Sequence, residues 1–145
     1  MEAAVPGREL ECGVIGNESP EASVVGEVVP GHEFYDYEDK YFDDAVRLVI
    51  PAEIPQETAE ETRARAVAAY RAVDAAGMAR VDFFLAEDGG RVWLNEINTI
   101  PGFTRMSMFP MLWEASGVDF PELCDRLIAL ALERAGGRRA LRHGR

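Results

Sequence analysis

The sequence is poor in residues that build several common kinds of site. Its 145 residues contain two cysteines, two histidines and a single lysine, Lys40. Cys12 and Cys124 lie far apart, and the first 15 residues are charged rather than apolar, so we expect reduced thiols in a cytoplasmic protein without a signal peptide. No apolar run approaches the ~20 residues that a membrane-spanning helix needs, which argues against a membrane protein.

Positive charge is also scarce. The chain has 15 Lys and Arg against 26 Asp and Glu, a net charge of −11, and residues 1–61 hold sixteen acids but three bases. Nucleic-acid binding depends on Lys and Arg that displace counterions from phosphates, so this balance argues against a nucleic-acid partner. Because 48% of the residues are hydrophobic, the chain can bury the core of one folded domain and is not a disordered segment.

Turn signals and hydrophobic patterning predict an α+β fold, with a mainly antiparallel sheet and flanking helices. We expect strands over residues 10–15, 22–29, 46–50, 79–86 and 92–97, with the first two and the last two forming hairpins. Helices are expected over residues 55–77 and 109–115, and from about 121 to Gly136-Gly137. The apolar face of the first helix is expected to contain Val67, Tyr70, Val73 and Ala76. Residues 1–136 then form one unit, followed by a basic tail, residues 137–145.

The second hairpin carries the clearest chemical signal. Asp82 interrupts an apolar strand, and a buried carboxylate costs several kcal/mol unless it is paired. Glu96 and Asn98 face the same side of the partner strand because side chains alternate along a strand. A two-residue turn would place Asp82 opposite Ile97, whereas a three-residue loop, 88–90, places it opposite Glu96 and brings the three oxygen-bearing side chains together.

Two carboxylates and an amide oxygen are hard donors that favour Mg²⁺ or Mn²⁺ over zinc or copper. Mg²⁺ usually keeps coordination positions open for phosphate oxygens, so a site with this few protein ligands suggests that it binds a metal–nucleotide complex. Arg80 lies on the same face and could neutralise charge that develops in phosphoryl transfer. The alternative is that Arg80 or Arg91 simply neutralises Asp82 while Glu96 and Asn98 cap the hairpin end. The spacing leaves both interpretations open.

The segment that follows the hairpin could also contribute to a site. Gly102 would allow a backbone N–H to approach a ligand closely. Ser107 is either the N-cap of a helix or a contact for a substrate carboxylate. A long loop, residues 32–44, carries three tyrosines and Lys40 and is either a lid or a packed surface loop. Neither histidine lies in a motif.

Three of these motifs resemble the D-alanine-D-alanine ligase family of the ATP-grasp superfamily: Arg80-Val81-Asp82, the run 95–104 and the run 34–41. The resemblance extends from Glu2 to about Gly136 and implies the carboxyl-terminal ATP-grasp subdomain. It implies that two Mg²⁺ (or Mn²⁺) ions bind Asp82, Glu96 and Asn98. It further implies that Arg80 and the Gly102 amide hold the transferred phosphate and the tetrahedral centre, and that Ser107 and the Met108 backbone hold the carboxylate of the second D-alanine.

The resemblance also assigns the nucleotide site and a loop that closes over the reactants. The closing loop would contain Lys40 and Tyr41. Glu2 would face the adenine amino group, Ala4 and Val5 would line the adenine slot, and Glu9 would hold the ribose hydroxyls. The composition of the 34–41 run favours D-alanine over D-lactate as the second substrate.

The implied reaction joins two D-alanines through an acyl phosphate made from ATP, for peptidoglycan synthesis. The family is roughly twice as long as this chain, and its amino-terminal domain and first ATP-grasp half, with a glycine-rich loop and lysines, have no counterpart here. We therefore expect the chain to need that missing half, to be inactive alone, and to form a homodimer when full length. The alternatives are another ATP-grasp carboxylate-amine ligase, such as a relative of glutathione synthetase, or a non-catalytic nucleotide-binding module.

Overall fold

The computed structural model describes residues 6–30, 47–87 and 90–143, with side chains described as far as residue 137. Within these ranges the chain forms five strands: β1 (Gly7–Gly16), β2 (Glu21–Val29), β3 (Arg47–Val49), β4 (Gly77–Ala86) and β5 (Val92–Asn98). The helices described are α1 (Gln56–Ala72), α2 (Met108–Ala115) and α3 (Phe120–His143). The strands form one antiparallel sheet in the order β3-β2-β1-β4-β5, which confirms the predicted fold class and both hairpins.

Strand β1 is the centre of the sheet, since it pairs with β2 on one side and β4 on the other. Its residues alternate between the two faces, as the pleat requires. Leu10, Cys12 and Val14 are fully buried on the face that packs against α1. The intervening residues face the other side, where Ile15 packs against α2 and α3 and Glu11 lies farther along the strand.

Helix α1 differs from its prediction in its end and in its buried face. It ends at Ala72 rather than Gly77, and the first left-handed residue after it is Asp74, at φ 52°. Its buried residues are Thr62, Ala66 and Tyr70, spaced four apart. Of the predicted apolar face only Tyr70 is buried, because small side chains at 62 and 66 let the helix lie close to the sheet. The Tyr70 hydroxyl donates to the Gly16 carbonyl (2.7 Å) and fixes the helix against the β1–β2 turn.

Helices α2 and α3 cover part of the opposite face. Phe109, Trp113 and Leu123 form a second cluster with Ile15, and the helices approach the sheet where it has no side chain. A Cβ on Gly13 would lie 2.8 Å from Trp113 Nε1. This close contact is possible only at glycine, and it lets α2 pack closely on β1 and β2.

Helix α3 runs through Gly136-Gly137 and ends at His143, so the predicted end of this helix is wrong. Glycine costs ~1 kcal/mol in a helix relative to alanine, and the flanking Arg, Ala and Leu residues are good helix formers. A Cβ at Gly136 or Gly137 would meet nothing within 4 Å, so packing imposes no break there. In the described part of the chain, no helix combines the length and apolar character needed to cross a membrane.

Candidate active site

Strands β4 and β5 place the oxygen-bearing residues of the second hairpin side by side. Asp82 pairs with Glu96 and Arg80 pairs with Asn98. Of the two registers that the sequence left open, this end of the hairpin has the one with Asp82 opposite Glu96, so Arg80, Asp82, Glu96 and Asn98 project from one face of the sheet. Asp82 is 2% exposed, whereas the Glu96 side chain is open to solvent.

The turn, however, is neither of the two that the sequence suggested. The Ala86 N–H donates to the Arg91 carbonyl (2.9 Å), so four residues rather than three connect the strands. Near this turn Phe83 pairs with Leu94, one position out of register with the site end. A bulge between the two ends, at Asn95, absorbs the extra residue. The bulge, and not the loop length, sets Asp82 opposite Glu96.

A third carboxylate, which sequence reasoning missed, continues this line of residues across the sheet. Glu11 of β1 pairs with Asp82 of β4, so Glu11, Asp82 and Glu96 occupy one row on three adjacent strands. We call these three residues the acidic row. Glu11 is 5% exposed. Its signal was available, because it interrupts the apolar run of β1 as Asp82 interrupts β4, but the pairing of distant strands could not be deduced from the sequence.

Arg80 is the counter-ion of the two buried carboxylates. Its Nε donates to Asp82 Oδ1 and its Nη2 to Asp82 Oδ2, both at 2.8 Å, in the bidentate geometry that strengthens such pairs. These hydrogen bonds, together with the charge of Glu11, raise the pKa of Arg80 despite its burial. The pairing of Arg80 with Asp82, one of the two interpretations that the spacing left open, is therefore present in the structure. Arg91 instead lies over the Trp93 ring, 4.9 Å from its centroid.

Glu11 forms an ion pair with Arg80 but accepts no hydrogen bond from it. Arg80 Nε lies 3.1 Å from Glu11 Oε2, yet its single hydrogen points to Asp82. Among the described residues, Glu11 Oε2 is a buried acceptor without a donor. Burial, and secondarily the charge of Asp82, raise the pKa of Glu11 to about 7, against the opposing effect of Arg80. The acidic row thus holds more negative charge than Arg80 satisfies.

The oxygen atoms at this site fit a divalent cation. Asp82, Glu96 and Asn98 would each bind the ion through a side-chain oxygen. Beside them, the unpartnered Glu11 Oε2 adds buried negative charge. In the described ranges no three acidic, histidine or cysteine side chains are already grouped as a metal cage. Mg²⁺ usually binds through one or two carboxylates with water and phosphate oxygens, so it does not require such a cage. Asn98 Oδ1 meanwhile accepts the Ile100 N–H (3.1 Å).

The loop after β5 turns back on itself at Gly102. A Cβ on Gly102 would lie 3.2 Å from Ser107 Oγ, so the predicted proximity of these two residues is confirmed. Ser107 occupies the N-cap position of α2 without a side-chain cap on the helix. Its hydroxyl instead accepts the Thr104 N–H (3.1 Å) and contacts the Thr104 hydroxyl (2.9 Å). Ser107 therefore shapes this turn.

The first turn of α2 lies beside the acidic row. Gly26 of β2 pairs with Glu11, and a Cβ on Gly26 would lie 3.2 Å from Met108 Sδ. Met108 and Glu11 are therefore on the same face of the sheet, with the positive end of the helix dipole on that side. Glu9 also faces this side, two residues along β1 from Glu11. Five of the predicted site residues lie outside the described residues: Glu2, Ala4, Val5, Lys40 and Tyr41.

Known proteins are similar to this chain in sequence and in fold. The family model for the D-ala D-ala ligase C-terminus matches residues 1–129. A D-alanine-D-alanine ligase from Geobacillus kaustophilus is 59% identical over 134 residues, which is 92% of this chain and 36% of that protein. This chain therefore spans about a third of that relative.

Two solved structures have the same fold. The D-alanine-D-alanine ligase from Coxiella burnetii gives a TM-score of 0.84 at 38% identity, over 97% of this chain and 36% of that one. The VanG D-Ala:D-Ser ligase from Enterococcus faecalis gives 0.77 at 34% identity, over 89% of this chain and 37% of that one. The sheet and helices described here are thus those of the carboxyl-terminal ATP-grasp domain, and the chain belongs to the D-alanine-D-alanine ligase family.

Proposed function

We propose that this chain forms the metal-binding and acyl-transfer side of an enzyme that joins two D-alanines with ATP. The γ-phosphoryl group of ATP passes to the carboxylate of the first D-alanine, giving an acyl phosphate and ADP. The amine of the second D-alanine then attacks the acyl carbon, and phosphate leaves as D-alanyl-D-alanine forms. The acidic row with Arg80 beside the first turn of α2 is the observation that supports this proposal most directly.

Each described site residue has a place in this reaction. Asp82, Glu96 and Asn98 would hold two Mg²⁺ or Mn²⁺ ions, which when bound neutralise charge on the β- and γ-phosphates. Arg80 would turn its planar guanidinium to the transferred phosphate. The Gly102 N–H would donate to the oxyanion of the tetrahedral centre, since the absence of a side chain permits the approach.

The second D-alanine would be held by the loop and first turn of α2. Ser107 and the backbone of Met108 lie at the helix N-terminus, where exposed N–H groups and the helix dipole favour a carboxylate. The proton that the attacking amine loses would leave with the phosphate, and the described site residues would serve to position the reactants.

The remaining contacts belong to the nucleotide and to the rest of the enzyme. Glu9 would bind the ribose, with Glu2, Ala4 and Val5 around the adenine, while Lys40 and Tyr41 would close over the reactants. The part of the relatives that this chain does not cover would supply the first D-alanine site and the remaining phosphate contacts. We propose a cytoplasmic homodimer for the whole enzyme, acting in peptidoglycan precursor synthesis.

A chimera tests this proposal. This chain replaces the matching 36% of the Geobacillus kaustophilus ligase, and ADP and dipeptide are measured with ATP, Mg²⁺ and D-alanine. We expect D-alanine-dependent dipeptide from the chimera and none from the 145-residue chain alone. Asp82→Asn should abolish activity, while Glu114→Gln, on the exposed side of α2, should not.

Two outcomes would change the conclusion. A folded chimera that makes no dipeptide, while the intact relative does, would contradict the proposed function. D-serine and D-lactate are offered in parallel with D-alanine because a D-Ala:D-Ser ligase shares the fold. Preference for either would refute D-alanine as the second substrate and leave the ligase chemistry standing.

A further inference from the structure

Glu11 has no assigned role in the reaction, although it is among the most buried charged residues of the described chain. Its Oε2 is a buried acceptor without a donor, which is an unfavourable arrangement. Glu11 lies on β1, which is hydrogen-bonded on both sides, so its backbone is fixed relative to Asp82. A fixed carboxylate next to Arg80 that lacks a hydrogen-bond donor suggests a second arrangement of the Arg80 side chain, in which Glu11 accepts a hydrogen bond from it.

Arg80 and a cation compete for the same lone pairs of Asp82. Both oxygens of Asp82 accept Arg80 N–H groups at 2.8 Å, so a cation that binds through the lone pairs facing Arg80 displaces these hydrogen bonds. The Arg80 side chain is only 20% exposed, so the released guanidinium cannot simply move into water. It needs another acceptor within reach, and Glu11 Oε2 already lies 3.1 Å from its Nε.

We propose that Glu11 is a positioning residue that takes over the Arg80 guanidinium when Asp82 binds a divalent cation. The Nε–H rotates from Asp82 Oδ1 to Glu11 Oε2, which satisfies the orphaned acceptor. The Nη2 group released from Asp82 is then free to face the transferred phosphate. This inference rests on the proposed function for its last step, while the exchange of partners concerns only the described residues.

The exchange can be observed without activity, by ¹H–¹⁵N NMR of the 145-residue chain. The Nε–Hε signal of Arg80 is identified by its loss in Arg80→Lys. With saturating Mg²⁺ we expect this signal to shift yet remain protected from solvent exchange, because Glu11 holds it. In Glu11→Leu, which removes the acceptor while keeping an apolar side chain of similar length, it should be protected without Mg²⁺ and lost to exchange with Mg²⁺, while Glu114→Gln should behave as the parent does.

Two NMR outcomes would overturn the proposal. If Mg²⁺ leaves the signal unchanged in the parent chain, Asp82 does not release Arg80. If the signal stays protected in Glu11→Leu with Mg²⁺ bound, another group holds the guanidinium. Neither outcome depends on whether the chimera makes dipeptide, so failure here is distinguishable from failure of the proposed function.

A double-mutant cycle in the active chimera tests the consequence for the reaction. Glu11→Gln should lower kcat about 10- to 100-fold, the range for residues that orient a site from behind, with KM for ATP and D-alanine changed less. In the Arg80→Lys background the same change should lower kcat less than about threefold, because residues that act through each other are not additive. Glu11→Asp should recover part of the loss.

Other patterns would contradict the cycle. Equal losses in both backgrounds would show that Glu11 does not act through Arg80. A raised Mg²⁺ requirement with unchanged kcat at saturating Mg²⁺ would make Glu11 a ligand of the cation. An unchanged kcat would show that Glu11 has no part in the reaction.

Discussion

Replacing Arg80 by methionine leaves the buried carboxylates without their counter-ion. Methionine retains much of the side-chain volume, so the main losses are the charge and two hydrogen bonds to Asp82. Asp82 is 2% and Glu11 5% exposed, so neither can reach water without distorting the sheet. Removing one partner of a buried pair costs ~3–5 kcal/mol. Because the Arg80 side chain is itself 20% exposed, we expect the lower end of that range, ~3 kcal/mol.

Urea unfolding of the chain, followed by circular dichroism, measures this loss. The control is Arg126→Met, which breaks an exposed pair with Glu122 and should cost ~0–1 kcal/mol. A loss of ~3 kcal/mol is a large part of the ~5–15 kcal/mol by which a domain is stable. A cost no larger than that of the control would refute the idea that Arg80 neutralises buried charge.

The pH dependence supplies a second check on the same variant. Arg80 lowers the pKa of Glu11, so its removal raises that pKa further above the value in the unfolded chain. A raised folded-state pKa means that protonation favours the folded state, so this contribution is present at low pH and lost as pH rises through the folded pKa. The deficit of Arg80→Met should therefore be smaller at about pH 6 than at about pH 8. An equal deficit at both would contradict the assignment.

Three further predictions concern other parts of the chain. Cys12 is fully buried, which raises its pKa to about 12, so a thiol reagent should modify Cys124 in the folded chain and Cys12 only on unfolding. Gly102→Ala in the chimera should raise KM for the second substrate about tenfold with little loss of stability, because the new Cβ crowds a turn that must be placed to within ~1 Å. Hydrogen bonds from Arg8 lower the pKa of Glu27, so the stability that they contribute is lost as pH falls through that lowered pKa. In Glu27→Gln the free energy of unfolding should therefore fall less steeply with decreasing pH in the acid range.

The strands and the shared face of Glu96 and Asn98 could be predicted because local patterning specifies them. Turn residues bound each hairpin, and two-residue periodicity fixes which side chains share a face. The helices were predicted less well, because their packing partners are remote in sequence. Hydrophobicity favours Val73 on the buried face of α1, yet it is 55% exposed, while small Ala66 is fully buried against the sheet. The extent of α3 likewise exceeds what two glycines indicate locally.

The sequence predicted the part of the candidate site that lies on the β4–β5 hairpin, but not its continuation onto β1. Glu11 and Asp82 meet only because β1 and β4 pair, and that register depends on the whole sheet rather than on any local signal. The bulge at Asn95 is equally invisible in the sequence, since a three-residue loop without a bulge gives the same pairing of Asp82 with Glu96. One of the two turns that the sequence suggested thus gives the observed pairing, although the structure contains neither turn.

The order of the strands divides the acidic row into a rigid part and a compliant part. Glu11 and Asp82 lie on β1 and β4, each hydrogen-bonded on two sides, whereas Glu96 and Asn98 lie on β5, at the edge of the described sheet. Amide hydrogens of interior strands exchange through near-global opening, while those of an edge strand exchange through local fluctuations. Binding of a divalent cation should therefore slow exchange mainly in β5. The fixed strands would set the charge of the site, and the edge strand would adjust its oxygens to the ion.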